Sequence, residues 1–86
     1  MDVSEHELRQ KLTELRRELS EVGDVDPDLE GLLAEIRADI EAVMDRAAPH
    51  PLRERLSGAV ERFETSHPSL ASAMGAVADQ LARMGI

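Results

Sequence analysis

"ETSHPSL", residues 64–70, decides the architecture of the second half of this chain. Before it, Leu56, Val60 and Phe63 recur at steps of four and three. After it, Leu70, Met74, Val77 and Leu81 keep the same rhythm. An apolar stripe in one phase marks one face of a helix. Carried straight through, it describes one kinked helix of roughly 33 residues, about 50 Å long at 1.5 Å per residue. Such a helix overhangs its neighbours and needs a second chain to cover it. Pro68 argues for a turn at 65–68 instead. A helical proline has no N–H to donate, and its ring meets the carbonyl of the residue four back, here Glu64. The turn is the preferred reading, and it makes four helices of the chain.

The first half obeys the same grammar. Leu8, Leu12, Leu15, Leu19 and Val22 step by 4, 3, 4, 3, a narrow coiled-coil-like stripe. Ser4 and Glu7 have the spacing of a capping box, and Gly23 suits the left-handed position that ends a helix. A first helix is expected over about 5–22. Asp26 and Pro27 then form an N-cap and a first helical residue. Leu29, Leu33, Ile36, Ile40 and Val43 continue the 4, 3 rhythm, widened by Leu32 and Met44. This second helix, about 27–46, is expected to be the most buried. The short link between the two makes them an antiparallel hairpin. "AAPHPL" breaks the chain, because Pro49 and Pro51 each disfavour helix at the residue before. The third helix is expected over about 52–64 and the fourth over about 68–84, with Ser66 or His67 as the cap of the latter and Pro68 in its first turn.

The fold class is therefore all-α. Antiparallel hairpins form a small three- to four-helix bundle in one domain, residues 1–86. The inward positions are Leu8, Leu12, Leu15, Leu19, Leu29, Leu33, Ile36, Ile40, Leu56, Phe63, Leu70, Met74, Val77 and Leu81. Eighty-six residues bury only about 60–65% of their unfolded surface. The stripes are narrow, there is one aromatic residue (Phe63), and small residues flank the fourth helix. Completion by a homodimer is the expectation.

Composition limits function. There is no cysteine, so thiol chemistry and disulfides are out, and a reducing compartment is suited. No apolar run is long enough to span a membrane, and "MDVSEHELRQKL" does not resemble a signal peptide. A cytoplasmic location is expected. The net charge is −8, and residues 1–48 carry all of it, with 14 acids against 6 Lys and Arg. That half repels phosphate backbones and anionic lipid, so neither nucleic acid nor membrane is an expected partner; the acids read first as a solubilising face, which leaves room for a basic protein partner.

Glu64 and His67 have the Glu-x-x-His spacing of di-metal carboxylate bundles. Such a site needs two of these pairs and two further inward Glu residues; one chain supplies one pair. The seam positions of the first two helices are all Leu, Ile or Val, so no inward carboxylate is expected there. The cap reading is therefore preferred to metal, and no cofactor is expected. His6 and His50 share no face with His67, and no phosphate loop or nucleophile elbow is present. Arg53, Glu54, Arg55, Glu61 and Arg62 read as a solvated face. Met44, Met74 and Met84 read as core gap-fillers.

Two blocks, "RFETSHPSL" (62–70) and "VADQLARMGI" (77–86), resemble the signature of a small bacterial family catalogued as domain of unknown function 4404. The leucine-stepped first helix, acidic turn and Leu/Ile second helix are similar too. The resemblance implies a small, helical, cytoplasmic protein and no catalytic residues to carry over. The expected function is a non-enzymatic, self-associating interaction or scaffolding module. The alternatives are an acidic adaptor or inhibitor of one protein partner, and a dimeric metal-binding bundle using Glu64 and His67.

Overall fold

The computed structural model describes residues 3–23, 25–45 and 52–85. They form four helices: α1 (Val3–Glu21), α2 (Pro27–Met44), α3 (Leu52–Phe63) and α4 (Pro68–Arg83). The described residues contain no strand. The expected end of the second helix at 46, with Pro49, His50 and Pro51, lies outside the described residues.

The chain turns at the Ser-His-Pro block. α3 stops at Phe63, and the His67 N–H closes on the Phe63 carbonyl at 2.7 Å. His67 itself leaves the helical region (φ −138°, ψ 70°), from which a following proline drives a residue, and Pro68 opens α4. The single long helix is excluded.

Each helix packs on the next in a ring, α1–α2–α3–α4 and back to α1, and the backbones of diagonal helices stay apart. Neighbours run antiparallel. Arg16 of α1 meets Glu41 of α2, while Arg37 reaches back to the Leu19 carbonyl. Gln80, late in α4, meets Ser4 and Lys11, early in α1. The up-and-down bundle measures 39 × 21 × 20 Å.

One cluster of buried apolar side chains fills the ring. The most buried helix is α4, not α2 as the stripe suggested. α4 contributes Leu70, Ala71, Met74, Val77, Ala78 and Leu81; α2 contributes Leu33, Ile36 and Ile40. The reason is side-chain size. Alanines widen the sector that α4 can bury and let α1 and α3 close on it, since interaxial distance follows the side chains at the contact. Leu29 is only half-buried, as are Leu32, Val43 and Met44. Leu52 and Ala59 join the core from α3. Among the described residues the one exposed large hydrophobic is Val3.

Two helix ends differ from expectation. α1 begins at Val3, so Ser4 already lies inside the helix rather than at the N-cap of a capping box. Gly23 does not adopt left-handed φ. Instead the Arg37 guanidinium donates to the Leu19 carbonyl at 3.1 Å, closing the C-terminal turn of α1. Gly85, by contrast, takes φ 77° after the C-cap Met84, and its N–H reaches the Ala82 carbonyl at 3.2 Å.

Gly31 is exposed in mid-α2, with open space where a Cβ would stand. Gly31→Ala should therefore stabilise the protein by about 0.5–1 kcal/mol, read from the urea midpoint at unchanged slope.

Candidate functional site

Charge is concentrated on one helix. α2 carries Asp28, Glu30, Glu35, Asp39 and Glu41 against the single cation Arg37, a net −4. By the same count α1 is −1, α3 is +1 and α4 is neutral. The cations that balance α2 therefore come from its neighbours. Arg16 of α1 lies 3.0 Å from Glu41, and its other terminal nitrogen is 3.6 Å from the Met44 sulfur. Arg55 of α3 lies 2.8 Å from Asp39 and 3.7 Å from Glu35.

Asp39 corrects the sequence reading, which expected no inward carboxylate on α2 and a solvated Arg55. Asp39 is 7% exposed, beside Ile40 and three residues after Ile36, on the edge of the stripe. A flank position reads as solvated until the facing helix is known to hold a cation there. Gln80 was missed for the same reason. It is 2% exposed next to Leu81. Its Oε1 accepts from Lys11 Nζ at 3.2 Å and its Nε2 donates to the Ser4 carbonyl at 3.3 Å. A buried amide satisfied at both ends ties α4 to α1 without a cost in lost hydration.

The outward face of α2 has a definite composition. Gly31, Ala34 and Ala38 are exposed along its centre, with half-buried Ala42 in line. At 100° per residue, Asp28 and Glu35 border this strip on one side, and Glu30 and Glu41 on the other. All four acids are exposed. The face is thus a shallow track of small side chains between two rows of carboxylates.

The polar face of α1 behaves differently. Arg17 is held by Glu14, by Glu21 at 3.0 Å and by Glu18 at 3.7 Å. The guanidinium pulls the Glu14 carboxyl below the ordinary glutamate range, through its hydrogen bond first and its charge second. The Arg17 pKa is raised in return, chiefly by Glu14. This cation is already surrounded by acids.

The Glu64–His67 pair is not assembled into a ligand set. Glu64 is exposed in the turn that ends α3, and His67 is half-buried at the N-cap of α4. The imidazole packs edge-on to Phe63, with ring centroids 5.8 Å apart at 70°, and its Nδ1 is 2.9 Å from Ser66 Oγ. His67, rather than Ser66, holds the cap position; neither it nor Asp26, the N-cap of α2, makes a side-chain cap bond. No group of three or more His, Asp or Glu placed to hold a metal occurs among the described residues. His6 is exposed on α1. Met74 is buried, and Met44 and Met84 pack against the core.

Among the described residues no helix is long and apolar enough to cross a membrane. A sequence profile described as Domain of unknown function (DUF4404) matches residues 8–86, so the resemblance seen in 62–70 and 77–86 stands. Neither the curated proteins nor the solved structures contain a match to the chain.

Glu14 supplies a pH-dependent prediction. A carboxyl depressed in the folded state adds stability above the unfolded glutamate value, and that contribution fades as pH falls through the lowered one. Carboxyl NMR titration should find Glu14 titrating below the ordinary range, and Arg17→Gln should move it back up.

Proposed function

We propose, from the premise that the chain belongs to the family described as Domain of unknown function (DUF4404), that it is a non-enzymatic protein-binding module. Its working surface is the outward face of α2, and its partner is a basic segment, helical when bound. The observation that carries this is the track of Gly31, Ala34 and Ala38 between two carboxylate rows. Small side chains let a second helix approach closely, since interaxial distances depend on the residues at the contact. A helix with Lys or Arg at i, i+4 spacing on both edges then reaches Asp28 and Glu35 on one side and Glu30 and Glu41 on the other.

The chemistry also fixes the character of the complex. Exposed ion pairs are worth only about 0–1 kcal/mol each, so affinity depends on several acting together. Charge complementarity contributes mainly to encounter rate and partner choice. The complex should be fast and salt-sensitive. A chain without cysteine suits a reducing cytoplasm, where we place this module.

A homodimer is the second reading, and one feature favours it. A groove of about 430 Å³ runs between α3 and α4, lined by Arg53, Ser57, Val60, Gly75, Ala78, Asp79 and Ala82. These two helices are nearly neutral, so a second copy meets no α2-like repulsion there.

Fluorescence anisotropy with a labelled Lys/Arg-rich amphipathic peptide tests the first reading. Binding should be lost near 0.5 M salt, where the Debye length has shrunk to about 4 Å. Asp28→Lys with Glu30→Lys should weaken it at least about tenfold, and Ala38→Trp should block the track. Binding that ignores all three changes would overturn the assignment. Native mass spectrometry separates the readings: a monomer fits the first, and a dimer dissolved by Ala82→Glu supports the second.

A further inference from the structure

We infer that α2 is the separable helix of this bundle: it opens as a unit while α1, α3 and α4 stay packed. The inference does not depend on what α2 binds.

Three observations carry it. First, α4 lies between α1 and α3 and buries six apolar side chains against them, so these three helices share a core that α2 does not complete alone. Second, α2 gives that core only Leu33, Ile36 and Ile40 as fully buried apolar side chains. Its other stripe residues, Leu29, Leu32, Val43 and Met44, remain half-buried. Third, α2 is fastened largely by charge. Arg16–Glu41, Arg37 to the Leu19 carbonyl, and Arg55 to Asp39 and Glu35 bridge it to both neighbours.

The decisive comparison is what each helix recovers on leaving. When α2 departs, Asp39 and Arg55 regain the hydration that burial took from them. That offsets much of the ion pair, because desolvation rivals the Coulombic gain in a buried pair. The net cost is then three fully buried apolar side chains and the covered parts of Leu29, Leu32, Val43 and Met44. When α4 departs, Met74, Val77, Leu70 and Leu81 are exposed with no comparable return, and the Gln80 bonds to α1 are lost as well. Openings span free energies from near zero to the global value, and the element with the least apolar burial opens first.

Amide hydrogen exchange on the full chain tests this. Amides of 33–43 in α2 should exchange at least about tenfold faster than those of 70–81 in α4. Arg55→Leu removes the cation 2.8 Å from the buried Asp39, so it should speed α2 about tenfold more and leave α4 nearly unchanged. The double change Asp39→Leu with Arg55→Leu should bring α2 toward the α4 rate. One common rate for both helices in the unaltered protein would overturn the inference. So would equal acceleration of both by Arg55→Leu. If that variant does not fold, the comparison within the unaltered protein decides alone.

Discussion

Pro68 is the constraint on which the rest of the bundle depends. It removes the N–H that would have joined Glu64 to a continuous helix, and its ring excludes the carbonyl it would have met. The chain answers by closing His67 onto Phe63 and starting again. Because α4 begins there, it folds back along α3 and reaches α1, where Gln80 meets Ser4 and Lys11. A helical proline costs about 3 kcal/mol. Fully burying one large apolar side chain returns about 1.5–3 kcal/mol, and α4 buries several. The turn is therefore the stable outcome, and it lets the four helices pack around one core.

Once α4 is in place, size and charge sort the remaining contacts. Alanine-rich α4 draws α1 and α3 close. The bulkier α2 stands further off and is held at its edges by arginines of its neighbours. All the strongly unbalanced charge then lies on the helix with the fewest fully buried apolar side chains. That coincidence links the two proposals. The surface best suited to a cationic partner is also the element that leaves the core most cheaply, and Glu35 and Glu41 belong to both arrangements.

Family membership adds no chemistry to import, so the argument for function rests on this chain's own side chains. Its histidines illustrate the point. The Glu-x-x-His spacing at 64–67 matches a metal motif in sequence, but it straddles a turn. His67 is used instead as an edge-on neighbour of Phe63 and a partner of Ser66. Spacing implies a shared face only where the helix is continuous.

The sequence by itself determined the helices and most of their inward faces. Leu8, Leu12, Leu15 and Leu19, and Leu70, Met74, Val77 and Leu81, are legible because a 3.6-residue period is a local property. The break at Pro68 is legible because a missing N–H is local too. Only the tertiary structure decided which helix is most buried, where Asp39 and Gln80 go, and how α1 ends. Each of these depends on a residue far along the chain. Asp39 is buried because Arg55 faces it, Gln80 because Ser4 and Lys11 satisfy it, and α1 is closed by Arg37 rather than by Gly23. A polar residue on the flank of a stripe has no fate of its own; its burial is set by the partner that packing brings opposite, because hydration is given up only where an equivalent contact replaces it.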